Sequence, residues 1–213
     1  MSDATPNQYM ERLIKVTLLQ SELIEIDKLL QGKLEGGMLQ ILLIKNTFLA
    51  VSNFVDFELT IRAMYKNSPE LSQLYKKADK QFQFAKYIRN KFVGHIKDEL
   101  IQKSIEWRPE LKYMLDKQDM GYFYNLFILE TVINTYVDND GKHKVFISDT
   151  DLIYPSDMSR FLEYLYLIVQ TAISFLTKLS EILKSKIEIK NFGNFDINDW
   201  LKAAKTDFKF IKK

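Results

Sequence analysis

The chain holds two histidines, His95 and His143, and no cysteine among its 213 residues. Histidine-based acid–base chemistry must therefore fall on one of these two, while thiolate chemistry of any kind is excluded: no Cys nucleophile, no thiolate zinc site, no disulfide framework. His143 stands between Lys142 and Lys144 without a neighbouring acid or nucleophile and reads as a solvated strand residue. His95 has more company. In Arg89-Asn90-Lys91-Phe92-Val93-Gly94-His95, an arginine precedes it by six residues and an asparagine by five. An imidazole exchanges protons near neutral pH, and a guanidinium holds an oxyanion through paired hydrogen bonds. Together they make this segment the place in the chain best equipped for chemistry.

Those residues need an element to position them, and the spacing predicts a helix over about 79–104. At about 100° per residue, Arg89 and His95 would stand roughly 120° apart around a straight helix, neighbours in a groove and not one stripe. Gly94 is a poor helix former. It can loosen the turn before His95 and bring the imidazole round toward the arginine.

An arginine followed by a polar residue, with four to six residues to a histidine, resembles the motif of the HEPN domains (higher eukaryotes and prokaryotes nucleotide-binding), here with five intervening residues and Asn90 in the polar place. The resemblance covers the motif, its helix and, more loosely, an all-helical bundle. It implies a metal-independent endoribonuclease, of the kind found in toxins, abortive-infection systems and antiviral defence, working as a homodimer that brings two copies of the motif to one cleft. On that resemblance His95 moves protons between an RNA 2′-hydroxyl and a leaving 5′-oxygen. Arg89 holds the scissile phosphate and stabilises its developing charge, and Asn90 orients the phosphate or the imidazole. Lys86, Lys91 and Lys97 steer the RNA backbone. No metal or other cofactor is implied; RNA is the partner, with an antitoxin or defence protein as a second.

A plainer reading stands beside this one. Arg89 can pair with an acid of the second helix, Asp56 or Glu58, while His95 merely packs or caps. Those same acids can instead hold Arg89 in its working orientation. The chain is then a catalytically silent HEPN-like interaction or nucleotide-binding module. Phe82, Phe84, Tyr87 and Phe92 fall at helical spacing and read as core before they read as base-stacking platforms.

Around the motif the pattern is that of an all-α, up-and-down bundle of long helices in one domain, 1–213. Seven Gly and four Pro leave few breakers. A first helix is expected over about 6–31, carrying Tyr9, Leu13, Val16, Leu19, Leu23, Ile26 and Leu30, and a second from Ile41 to about Tyr65. Pro69 opens a short third, and Arg108-Pro109 marks a break. β-Branched residues then surround Asp140-Gly141, which predicts a small β-hairpin insertion over about 129–147. After Pro155, a heptad-like stripe of Phe161, Leu165, Ile168, Ala172, Phe175, Leu179 and Ile182 predicts a long helix. Asn191-Phe192-Gly193-Asn194 should break that run, before an amphipathic helix over about 197–210.

Charge excludes other classes. The net charge is +2, so no overall basic excess announces nucleic-acid binding. The charge is segregated, however: basic residues outnumber acidic ones eight to three over 76–103 and eight to four over 184–213, while acids prevail seven to two over 119–157. Neither a His-Glu-x-x-His pattern nor a glycine-rich phosphate loop occurs, which sets metal hydrolases and nucleotide kinases aside. No basic-then-apolar leader opens the sequence, and the most apolar window, 161–179, is too interrupted for a lone membrane span. A cytoplasmic location without membrane contact is expected.

Overall fold

The computed structural model describes residues 5–32, 36–188 and 196–209. Within them the chain is mostly helical: α1 (Pro6–Gln31), α2 (Met38–Ile61), α3 (Pro69–Lys76), α4 (Asp79–Ile88), α5 (Asp98–Trp107), α6 (Gly121–Asn134), α7 (Pro155–Lys184) and α8 (Ile197–Ala203). α1 begins on a capping box. The Thr5 hydroxyl accepts from the Gln8 amide and the Gln8 side chain accepts from the Thr5 amide, so two otherwise orphaned donors are satisfied. Its predicted stripe turns inward, with Val16, Leu19, Leu23 and Ile26 buried.

α7 is the longest helix and the bundle's spine. Phe161, Leu165, Ile168, Ala172, Phe175 and Leu179 are all fully buried, and Leu183, not Ile182, completes the stripe. Each of the larger side chains contributes about 1.5–3 kcal/mol on leaving water. Gln20 Nε2 donates to Thr177 Oγ1 at 2.8 Å and Gln170 Nε2 to Asp27 Oδ1 at 2.5 Å, so α1 and α7 run antiparallel. By length and apolarity, 38–66 and 155–184 could each cross a membrane. Here their apolar sides form one cluster with those of α1, α3, α4 and α6.

Three expectations require correction. The helix expected over 79–104 is divided: α4 ends at Ile88, Arg89–Val93 widens into a π-turn, and residues 94–97 are non-helical before α5. The β-hairpin over 129–147 does not form. Residues 129–134 belong to α6, and the described residues hold only an isolated antiparallel bridge, Val137 to His143. The reason is burial. Leu129, Glu130, Thr131, Val132 and Ile133 are all buried, so this helix lacks the polar face that would have shown a helical period. The Asp-Gly turn itself is real: Gly141 sits at φ +76°, and the Asp138 carboxylate accepts from the Asp140 and Lys142 amides, both at 2.9 Å. The helix expected over 197–210 is shorter, ending at Ala203; its expected last residue and the break expected at 191–194 lie outside the described residues.

Candidate active site

The candidate site sits where α4 gives way to the π-turn. α4 is pinned into the core by Phe82, Phe84, Ala85 and Ile88, all fully buried, and Phe92 continues that inner face past the change of winding. In a π-turn the residue five positions on closes the hydrogen bond, and the Gly94 amide donates to the Arg89 carbonyl at 2.7 Å. The wider turn lays Gly94 over Arg89. A Cβ on Gly94 would stand 3.7 Å, ordinary contact distance, from both Cζ and Nη1 of the guanidinium and a tight 3.3 Å from the Arg89 carbonyl oxygen, so a larger residue there would press on that carbonyl. His95, the next residue, lies in the non-helical stretch and is exposed.

Arg89 itself is half-buried. Its Nη1 donates to the Asn90 side-chain oxygen at 3.0 Å, while its Nε is buried without a hydrogen-bond partner. Among the described residues no carboxylate pairs with it. The acids expected beside it are engaged elsewhere: Asp56 accepts from Lys86 Nζ at 2.5 Å, and buried Glu58 accepts from Arg62 Nε at 2.9 and 3.0 Å and from the Tyr65 hydroxyl. Neither orients Arg89. Lys86 is accordingly tied to Asp56, whereas Lys91 and Lys97 line one small cleft with Lys103, Tyr87 and Thr135.

Arg108, by contrast, is neutralised on every side. Its Nε and Nη2 donate to fully buried Glu130 at 2.8 and 2.9 Å, and it also pairs with Asp151 at 2.8 Å. Glu130 further accepts from Trp107 Nε1 at 2.5 Å and the Leu152 amide at 2.9 Å, which satisfies the carboxylate and ties α5, α6 and the start of α7's approach together.

His143 is built in, not solvated. Its Nε2 lies 2.9 Å from the Ile133 carbonyl, and its Nδ1 accepts from the Val145 and Phe146 amides at 3.0 and 2.8 Å. The ring stacks on Phe146 and meets Phe84 edge-on. Two amide donors on Nδ1 require a neutral ring with its proton on Nε2, and burial accordingly lowers its pKa from the ordinary 6.5.

Two lysines near the site escaped the sequence reading. Lys45 of α2 donates to Asn125 Oδ1 at 2.6 Å and lies 4.4 Å from the centre of the Phe92 ring, propping the π-turn from below; burial lowers its pKa. No sequence signal joins residues 45 and 92. Lys103 did carry one, since Lys91, Lys97 and Lys103 recur every six residues. Among the described residues no cluster of three or more His, Asp or Glu side chains is arranged to hold a metal ion. Fold and site define the class as an all-α helical bundle with an Arg-Asn-His segment at a π-turn. Searches of family models, curated proteins and solved structures return no match to this chain.

Proposed function

We propose that this chain is a metal-independent endoribonuclease of the HEPN type, cutting RNA by attack of its own 2′-hydroxyl, in a bacterial toxin or antiviral defence role within the cytoplasm. The observation that carries the reading is the state of Arg89. Among the described residues its guanidinium has no carboxylate to neutralise it, and its Nη1 is held by the Asn90 side-chain oxygen at 3.0 Å. A fixed cation with spare donors is what a phosphate bearing developing charge requires. In the reaction the 2′-oxygen attacks phosphorus, the bond to the 5′-oxygen breaks, and His95 accounts for the protons: one is taken from the attacking hydroxyl and one returned to the leaving oxygen. Two chains would supply two Arg89–His95 pairs to one cleft, with an antitoxin or defence protein as the cellular partner.

The test is purified protein with single-stranded RNA in chelator. Cleavage should proceed, leaving a 2′,3′-cyclic phosphate on one fragment and a 5′-hydroxyl on the other. Products with 5′-phosphates, or cleavage only after a metal is added, would reject the mechanism.

A second reading, a catalytically silent HEPN-like interaction module, is favoured by one feature. Met10, Ile14 and Leu18 form an exposed apolar stripe on α1, respectively 48%, 56% and 66% accessible, of a kind that marks a protein-binding face. On that reading Arg89→Ala would change partner binding and no RNA would be cut under any condition.

A further inference from the structure

The π-turn does more than place Arg89. Because the helix opens at 89–93 and restarts at Asp98, the segment between them folds over the beginning of α5, and the Lys97 amide points back at the Lys91 carbonyl, 3.4 Å away. A small cleft of about 140 Å³ results, with Lys91 from the π-turn, Lys97 from the connection and Lys103 from α5 around it. Buried Leu100 forms its base, and Tyr87, whose hydroxyl donates to Thr135 Oγ1 at 3.0 Å, forms a wall.

Three lysines and one acid, Glu99, are among the residues that line it. Lys91 and Lys97 have no ion-pair partner among the described residues. Lys103 pairs with Glu106 at 2.7 Å, but both side chains are 65% accessible, and such a solvated pair is easily exchanged for another anion. Like charges gathered around a concavity repel one another unless an anion joins them, and lysine recognises phosphate as a point charge with three donors. The cleft is smaller than the several hundred cubic ångströms that drug-sized or whole-cofactor ligands occupy, so it suits a phosphate with part of its sugar.

We infer that the cleft of Lys91, Lys97 and Lys103 is a backbone subsite for single-stranded RNA, holding a phosphodiester displaced along the strand from the one at Arg89. The inference rests on the endoribonuclease reading for its ligand, although the cleft's charge and shape do not depend on that reading. Lys103 thereby becomes an RNA-binding residue, and the motif's own helix break becomes the device that builds the subsite.

The test uses the His95→Ala chain, with the strand checked for integrity, and reads the anisotropy of a labelled single-stranded RNA across a salt titration. Lys91→Gln, Lys97→Gln and Lys103→Gln together should weaken binding by about tenfold or more at low salt and flatten the slope of log affinity against log salt by about two, at roughly 0.7 per lost phosphate contact. A control with the same charge change at Lys178 and Lys184 on α7 and Lys186 just beyond it should stay within about twofold. Equal losses in the two triples would reduce the effect to the general field and overturn the subsite, as would no loss in either. Pyrophosphate and ADP, titrated separately, distinguish the source of the phosphate. If ADP binds as tightly as RNA and carries the lysine dependence, the cleft belongs to a free nucleotide and the RNA assignment falls. Lysine-dependent binding without any cleavage by the unmutated chain would leave the subsite standing and remove the nuclease reading. His95-dependent cleavage with lysine-independent binding would do the reverse.

Discussion

The segment 136–152 carries His143 and meets Arg108 through Asp151, the segment 89–97 carries Arg89 and His95, and the two places use these residue types in opposite ways. Around the first, Arg108 meets Glu130 and Asp151, and both ring nitrogens of His143 are occupied by backbone groups. Around the second, the side-chain partner of Arg89 among the described residues is the amide of Asn90, and His95 stands exposed. Saturated polar groups hold a fold together, because each would be costly to leave unpaired. Exposed groups without such partners contribute little to folding and can meet a substrate. The difference teaches that the same two residue types can be tied into the fold in one place and left with few partners in another.

That contrast can be broken most forcefully at Glu130. Glu130→Ala removes the buried carboxylate that joins Arg108, the Trp107 indole and the Leu152 amide, and should destabilise the fold by about 1–3 kcal/mol, read as the midpoint of urea unfolding. An unchanged midpoint would mean the Glu130 network is not structural. Arg89→Ala removes no ion pair among the described residues. It should leave the urea midpoint nearly unmoved while lowering RNA cleavage by about a hundredfold or more, followed as single-turnover rates. Unfolding of that variant would instead make Arg89 a packing residue.

His143 sharpens the comparison through pH. Its folded pKa is depressed, so the unfolded chain binds the proton more readily, and stability is fully present above about 6.5 and falls as the pH drops through the unfolded value toward the folded one. His143→Gln, which keeps polar groups but cannot take up the proton, should flatten the dependence of melting temperature on pH below 6.5. A dependence that survives the substitution belongs to other groups. The smallest effect is expected at Gly94: an added methyl would press on the Arg89 carbonyl and touch the guanidinium, so Gly94→Ala should slow cleavage severalfold with little change in melting temperature.

Much of this architecture is legible in the sequence. The stripes of α1 and α7 alternate buried and exposed positions, and Pro69, Arg108-Pro109 and Pro155 mark boundaries that the fold respects. What escaped reading lacks a one-dimensional signal. Thr131, Val132 and Ile133 look like a strand because a helix buried on all sides carries no polar period, and their β-branching then decides the expectation. Gly94 signals a loosened turn before His95, but the π-turn itself, Arg89–Val93, contains neither proline nor glycine, so nothing announces that the loosening takes the form of a wider winding starting at Arg89. The Arg89-Asn90 pairing follows from adjacency, but the diversion of Asp56 to Lys86 and of Glu58 to Arg62 depends on which faces of α2 and α4 meet.

The most direct test sets the two histidines against each other. Single-turnover cleavage of one single-stranded RNA is measured in chelator, well below any melting transition, for the unmutated chain, His95→Ala and His143→Ala. The account predicts that His95→Ala loses about a hundredfold or more in rate with its melting temperature intact, while His143→Ala keeps its rate and loses melting temperature. Wild-type cleavage by His95→Ala, or a loss of rate confined to His143→Ala, would contradict it.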